Sequence, residues 1–292
     1  MSRGYRADLS LLAVTALWGS SFTIVKHALE DVSPMLFLAL RFLVAAAFLI
    51  PWSRSDREPT GRGRLFPGIL VGSFLFAGFT FQVQGLRSVT PTNSAFVTSL
   101  SVVLVPLLVV LLRRRLPAPT ALVGVGLATA GLFLLLLEPE GFRFSRGDLL
   151  TFLCAVVFAL HILGVDAFAR REPPRRFVTI QVVTAGILAT GAALLLERPV
   201  LRPTVRLAAT LAFTALACTA VAFAVQTSMQ RFTTPTRVAI IFATEPIFAA
   251  IVSYFVHGEP LGGRDFLGGS LIFAGILAAE LRPGAEGQES PG

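Results

Sequence analysis

The sequence predicts an all-α membrane protein with ten transmembrane helices, arranged as two inverted-topology repeats of five helices each. Hydrophobic residues make up 54% of the 292 residues, charged residues make up 14%, and the mean hydropathy is +0.75. Soluble domains carry about 25% charged residues, and a chain this apolar has too little polar surface to cover its exterior. The composition therefore excludes intrinsic disorder, a disulfide scaffold and a nucleic-acid-binding domain.

Each predicted transmembrane helix is an apolar stretch of about 20 residues, the length that crosses the hydrocarbon core of a bilayer. Phe, Leu, Val and Ala fill these stretches on all faces, so neither strand alternation nor an amphipathic stripe explains them. Prolines, glycines and charged residues separate them. The ten stretches, called spans 1 to 10, cover residues 9–28, 34–52, 65–86, 92–112, 119–137, 148–169, 177–196, 207–230, 236–256 and 265–281.

The distribution of positive charge predicts the orientation. Arginines lie in the gaps between spans, where they indicate membrane loops and not a nucleic-acid surface, although the net charge is +8. If the N-terminus is cytoplasmic, the inner gaps hold more than twice as many Lys and Arg residues as the outer ones, as the positive-inside rule requires. Span 1 lacks a clear cleavage site. We therefore expect both termini in the cytoplasm of a bacterium, with the protein in its inner membrane.

The sequence repeats itself once. A shift of 140 residues pairs Asp8 with Asp148, and shifts of 142 to 144 pair later positions, including Gln84 with Gln226 and Gly124 with Gly268. An odd number of spans per repeat makes the second copy enter the membrane from the opposite side, which is the architecture of alternating access. We expect repeats at residues 8–137 and 148–281, followed by a disordered cytoplasmic tail at 282–292.

Motifs in both repeats resemble those of the EamA family in the drug/metabolite transporter superfamily. The segments that carry the resemblance are Trp18-Gly19-Ser20-Ser21-Phe22 with Lys26, Pro34 with Arg41, Thr244-Glu245-Pro246-Ile247-Phe248, and His257-Gly258-Glu259-Pro260-Leu261. The resemblance implies a ten-helix inner-membrane transporter that exports or exchanges small metabolites. The first repeat departs from the pattern, because Val105 stands where a glutamate would match Glu245 and Arg113-Arg114-Arg115-Leu116 replaces the Gly-Glu turn.

Two ionisable residues inside the spans are the first candidates for substrate binding, since such residues are costly in lipid and usually face a cavity or a partner. Glu245 precedes a proline in span 9 and either binds a substrate amine or a proton, or is hydrogen-bonded to a neighbouring broken helix. Arg41 in span 2 either binds an anionic group such as an amino-acid carboxylate or snorkels to the surface. Lys26 either forms a cationic patch with Arg41 or, as favoured here, snorkels to the surface and pairs with Glu30.

Polar and aromatic residues near mid-span complete the predicted site. His161 is a proton relay or an interhelical hydrogen-bond partner, and it corresponds in the repeat to Ser21. Gln84 and Gln226 either line the pathway or bind adjacent helices. Trp18 needs a partner for its indole N–H or a ligand for its face, and Thr98 belongs to a polar side of span 4.

These features favour a secondary transporter of small metabolites such as amino acids, in which the two halves rock around a central cavity. Spans 1, 3, 4, 6, 8 and 9 would line the cavity, and spans 5 and 10 would pack as scaffold. The alternatives are a lipid or lipid-linked flippase and a membrane enzyme. Neither a Walker lysine nor a close His/Cys cluster is present in the sequence. We expect no cofactor or metal, and partners limited to the substrate, the bilayer and a second copy in a homodimer.

Overall fold

A computed structural model describes residues 3–54, 65–114, 116–136, 145–257 and 262–280. Within these residues the chain is helical, and its one β-bridge pairs Val32 with Leu201. The helices are α1 (Arg3–Ala28), α2 (Pro34–Ser53), α3 (Leu65–Leu86), α4 (Pro91–Ser99), α5 (Ser101–Arg113), α6 (Pro119–Leu136), α7 (Arg146–Phe168), α8 (Pro174–Leu196), α9 (Val205–Ala215), α10 (Ala222–Met229), α11 (Pro235–Phe242), α12 (Glu245–His257) and α13 (Gly263–Glu280). A π-turn (Leu216–Val221) joins α9 to α10, and a 3₁₀ turn (Gln230–Phe232) follows α10.

Eight helical stretches of the described chain are long and apolar enough to cross a membrane. Two shorter apolar helices, Pro119–Leu134 and Phe266–Ala279, lie in predicted spans 5 and 10. The predicted tail at 282–292, most of the polar gap at 53–64 and residues 258–261 lie outside the described residues.

Three of the predicted spans are interrupted and not continuous. Span 4 breaks at Leu100, span 9 breaks at Ala243 and Thr244, and span 8 contains the π-turn. The break in span 9 has a simple cause: Pro246 has no backbone N–H to donate to the carbonyl four residues earlier, and the first turn of a helix is where proline fits best. Thr244 accepts the backbone N–H of Ile247 and so starts a new helix.

Contacts of α1, α4 and α7 define one end of the helical bundle, and the length of α1 defines the other. The Nζ atom of Lys26, near the end of α1, donates to the carbonyl of Val89, and Asn93 at the start of α4 donates to Asp148 at the start of α7. We call this the Asp148 end. Asp8 lies 18 residues before Lys26, or about 27 Å away along the helix, and defines the Asp8 end. The expected Lys26–Glu30 pair is replaced, because Glu30 contacts Arg206.

Helices from one half of the chain pack mainly against helices from the other half. α2 packs against α8, α3 against α7 and α8, and α1 against α12. α6 and α13 pack closely against each other: a Cβ atom added to Gly124 would lie 2.6 Å from the carbonyl oxygen of Gly275, and one added to Gly131 would lie 2.5 Å from that of Gly268. Small residues at a crossing let two helix backbones approach closely in a membrane.

Candidate functional site

A cavity lies at the meeting point of the broken helices. Seven of the eight predicted site residues line it, and α6 and α13 contribute no side chain to it, as expected of a scaffold. Span 2 adds Arg41 to the six spans that were expected to line it. The lining residues are Trp18, Ser21, Phe22, Arg41, Phe79, Gln82, Thr98, Ser101, Phe158, His161, Ile162, Phe223, Gln226, Phe242 and Glu245.

Gln84 is the predicted site residue that does not line this cavity. It lies near Arg87, Ser88 and Arg146 at the Asp148 end, and Gln82 occupies the cavity wall in its place. Two residues apart on an α-helix are separated by about 200° around the axis, so Gln82 and Gln84 face nearly opposite directions. The repeat spacing that singled out Gln84 carries no information about which face of α3 is turned inward.

Glu245 is the first residue of α12, and the helix break brings its buried carboxyl to the cavity. α1 crosses α12 at this point. A Cβ atom added to Gly19 would lie 2.6 Å from the carbonyl oxygen of Glu245 and 2.8 Å from Cβ of Phe248. The glycine therefore permits a close crossing, which places Trp18 and Ser21 of α1 beside the start of α12.

Arg41 is 2% exposed, although it carries a charge. Its Nε–H donates to the hydroxyl oxygen of Thr219 at 2.7 Å, and its guanidinium carbon lies 4.3 Å from the centre of the Phe79 ring. A cation over an aromatic face is attracted by the ring quadrupole. Its buried Nη2 atom has no hydrogen-bond partner among the described residues, so one donor group of Arg41 is available to a ligand in the cavity.

Trp18 anchors the aromatic wall of the cavity. Its indole N–H donates to the carbonyl of Cys218 at 2.8 Å, and its ring centre lies 5.1 Å from those of Phe223 and Phe242. The hydroxyl of Ser21 donates to the carbonyl of Trp18 at 2.7 Å. The predicted need of Trp18 for a partner is thus met by the backbone of span 8, and its ring faces remain in the wall.

In the second half of the chain, amide side chains form hydrogen bonds with the polar residues that line the cavity. The ring nitrogen Nε2 of His161 lies 3.1 Å from Oε1 of Gln181, so the imidazole donates its proton there. Gln226 donates to Gln230 at 3.2 Å, and Gln230 donates to the carbonyl of Ile162 at 2.6 Å. The buried Oε1 of Gln226 has no hydrogen-bond partner among the described residues and is a free acceptor at the cavity.

The break in span 4 corresponds to the break in span 9. Residues 90–93 read Thr-Pro-Thr-Asn and residues 234–237 read Thr-Pro-Thr-Arg, 144 positions later. Thr90 and Thr234 accept the backbone N–H three residues on and begin α4 and α11. The same shift pairs Ser101 with Glu245, and each is the first residue after its break. Thr98 and Ser101 line the cavity.

The counterpart of Glu245 is therefore Ser101 and not Val105. Val105 is fully buried in an apolar cluster with Leu11 and Ile241. A shift of 140 residues aligns Pro106 with Pro246 and so pairs Val105 with Glu245, whereas the helix breaks follow the Thr-Pro-Thr segments, which are 144 residues apart. The first repeat therefore has a hydroxyl where the second repeat has a carboxyl.

The site combines a guanidinium donor, a carboxyl group and amide groups with walls of aromatic rings. Such a site can hold a small molecule that carries both a negative and a positive group. Within the described residues no three His, Cys, Asp or Glu side chains are grouped so that they could hold a metal ion.

Family comparison decides the class of this protein. The model of the EamA-like transporter family matches residues 5–137 and again residues 145–280. The chain belongs to the EamA-like transporter family. Two copies of the family domain thus lie in tandem, and the apolar helices of the chain are those of a multi-pass membrane transporter.

Relatives of this EamA chain are found in archaea and bacteria. An "Uncharacterized transporter" of Archaeoglobus fulgidus is 32% identical over 94% of this chain and 86% of its own length. "Uncharacterized transporter YwfM" of Bacillus subtilis is 23% identical over 96% of each chain. A solved structure titled "Crystal structure of protein" matches with a TM-score of 0.77 and 20% identity, over 95% of this chain and 97% of the other, which shows a shared fold.

Proposed function

We propose that this protein is a secondary transporter that exports or exchanges small metabolites such as amino acids by alternating access. The observation that carries the proposal is that Arg41 and Glu245 line the same cavity, with the Nη2 donor of Arg41 free for a ligand. A guanidinium binds a carboxylate, and a buried carboxyl group binds an ammonium group. The aromatic walls accept the apolar part of such a substrate.

The proposed mechanism needs ten crossings in two inverted five-helix repeats. Two sets of contacts support this arrangement. Gly124 meets Gly275 and Gly131 meets Gly268, and the shift of 144 residues converts the first contact into the second. Likewise the Asn93–Asp148 contact joins the halves at one end of α1, and the equivalent pair of Arg237 with Asp8 joins them at the other. Equivalent residues at opposite ends are what an inverted repeat requires.

The test is counterflow in proteoliposomes that contain the purified protein. The panel consists of α-amino acids, their deaminated acids and their decarboxylated amines, so that each charged group of the substrate is removed in turn. We expect exchange of zwitterions, with the single-charge analogues at least about tenfold weaker, since each lost charged contact is worth about 1.5–3 kcal/mol. Glu245→Gln and Arg41→Lys should each reduce zwitterion exchange by about tenfold or more.

Matched controls make the same chemical changes outside the cavity. Glu172→Gln and Arg171→Lys lie in the turn after α7 and should exchange substrate like the unmodified protein. Full activity of Glu245→Gln and Arg41→Lys would contradict the proposed site. Exchange of fluorescent lipids between leaflets, without exchange of any metabolite in the panel, would contradict the substrate class and favour a flippase.

A further inference from the structure

The π-turn of span 8 holds two cavity residues of the other half of the chain. Trp18 of α1 donates to the carbonyl of Cys218, and Arg41 of α2 donates to the hydroxyl of Thr219, the next residue. Cys218 and Thr219 are both fully buried. π-turns inside α-helices occur frequently at functional sites, and this one touches the only arginine among the residues that line the cavity in the described structure.

The wide turn fixes the direction in which the Thr219 hydroxyl points. Threonines in α-helices bond to the carbonyl three or four residues earlier, as Thr15 and Thr214 do here. Thr219 instead donates to the carbonyl of Thr214, five residues earlier, at 2.8 Å. Because its hydrogen is used in this bond, the oxygen can only accept toward the cavity, and the Nε–H of Arg41 is the donor that it meets.

Arg41 is held at two points of its guanidinium plane. Thr219 binds its Nε–H, and the ring of Phe79 lies against the guanidinium carbon at 4.3 Å. A planar guanidinium fixed at one edge and on one face has a defined orientation. Its Nη2 group, which has no hydrogen-bond partner among the described residues, is thereby kept available for the ligand.

We propose that Thr219 is a positioning residue, which sets the orientation of Arg41 for the negatively charged group of the substrate. The proposal rests on the substrate-binding role proposed above for Arg41. Without the hydroxyl, the Nε–H of the buried guanidinium loses its hydrogen-bond acceptor, and Arg41 rotates toward another acceptor. Substrate affinity then falls, whereas the rate of the conformational cycle is little affected.

The first test compares transport kinetics of three threonine variants. Thr219→Val should raise KM for a zwitterionic substrate by about tenfold while the maximal rate stays within about twofold, the loss typical of one hydrogen bond to a charged group. Thr219→Ser keeps the hydroxyl and should restore KM to within about twofold. Thr214→Val is the matched control, because its hydroxyl bonds only within its own helix, and it should leave KM unchanged.

Two transport results would overturn the proposal: an unchanged KM in Thr219→Val, or a KM in Thr219→Ser as high as in Thr219→Val. A similar rise in Thr214→Val would also overturn it, since the effect would then come from helix packing.

The second test does not depend on transport. In NMR spectra of the protein labelled with ¹⁵N-arginine, the Nε–H signal of Arg41, identified by its loss in Arg41→Lys, should be protected from exchange with solvent. Protection should persist in Thr219→Ser and disappear in Thr219→Val. Protection that persists in Thr219→Val would refute the positioning role. If the unmodified protein exchanges no zwitterion, the proposed function fails, and this measurement still decides whether Thr219 orients Arg41.

Discussion

The two ends of the bundle share the same threonine-capped helix start, but different side chains join the two halves of the chain there. At the Asp148 end, Thr90 begins α4 and the amide of Asn93 donates to Asp148 at 2.8 Å. At the Asp8 end, Thr234 begins α11 and the guanidinium of Arg237 contacts the carboxylate of Asp8 at 2.8 Å. One end is therefore joined by a neutral amide and a carboxylate, and the other by a full ion pair with both side chains mostly buried.

The centre of the molecule shows the same kind of difference. The two helix breaks are equivalent, yet one presents the hydroxyl of Ser101 to the cavity and the other presents the carboxyl of Glu245. The two repeats thus share the features that shape the backbone, namely the threonine caps, the helix breaks and the glycine crossings. The charged groups differ between the halves. The proposed zwitterionic substrate has one ammonium group and so needs only one carboxyl, which the second half supplies.

The largest expected effect comes from making the two breaks alike. Glu245→Ser gives the second break the residue of the first, and we expect substrate exchange to fall by about 100-fold, because a charged hydrogen-bond partner is lost in a buried site. Ser101→Ala should change exchange by no more than about twofold. Counterflow measures both, and equal losses in the two variants would contradict the proposed division of roles.

Removal of a charge from each end should have unequal effects on stability. Asp8→Asn removes the negative charge that faces the Arg237 guanidinium, whose side chain is only 18% exposed, and breaking a buried ion pair costs about 3–5 kcal/mol. Asp148→Asn leaves a neutral partner for Asn93 and should cost about 1–2 kcal/mol. Thermal unfolding in detergent compares them. A larger loss in Asp148→Asn would show that the ion pair is not the stronger connection.

At the crossing of α6 and α13, equivalent substitutions in the two contacts should have equal effects on stability. Gly124→Ala and Gly131→Ala each force a Cβ atom to within about 2.6 Å of a carbonyl oxygen and should each destabilise the protein by about 1–3 kcal/mol. Gly126→Ala is the matched control, because no atom lies within 4 Å of the added carbon. A loss in Gly126→Ala as large as that in Gly124→Ala would remove the crossing as the cause.

The smallest expected effect concerns the loop contact at the Asp148 end. Arg206 donates to Asp31 and holds the pKa of that carboxyl below its ordinary value. Because the folded-state pKa is lowered, the contact stabilises the protein fully above the unfolded pKa of about 3.9. This stabilisation is lost as the pH falls through the folded-state value. The effect is small, since the Arg206 side chain is 47% exposed.

Arg206→Gln should lower the thermal midpoint slightly at pH 7 and leave it unchanged near pH 2. Thermal scans of both proteins over this pH range measure the difference. A difference that grows as the pH falls would have the wrong sign for this pair.

Hydropathy was sufficient to predict an all-helical membrane protein, and eight helical stretches of the described chain are long and apolar enough to cross a membrane. Pro246 indicated the break in span 9. Leu100 gives no comparable signal, because the break in span 4 lies six residues before Pro106. The π-turn has no sequence signal either, since Ala, Cys, Thr and Val fit an α-helix equally well in a membrane.

The site could be predicted only as far as residue type allowed. Charged and aromatic residues at mid-span must find partners or a cavity, so Arg41, Glu245 and Trp18 stood out. The choice between Gln82 and Gln84 depends on helix rotation, and the role of Thr219 depends on a backbone turn. Both are set by tertiary packing, which the apolar pattern of a uniformly hydrophobic helix does not encode.

In the proposed mechanism, two oppositely oriented halves enclose a cavity that opens to each side of the membrane in turn. The most direct measurement labels single cysteines from either face of oriented membranes, in a protein whose Cys154 and Cys218 are replaced. Arg6→Cys at the Asp8 end should react from one face, Ser88→Cys at the Asp148 end from the other, and Ser21→Cys in the cavity from both. Reaction of Arg6→Cys and Ser88→Cys from the same face, or of Ser21→Cys from one face alone, would contradict the account.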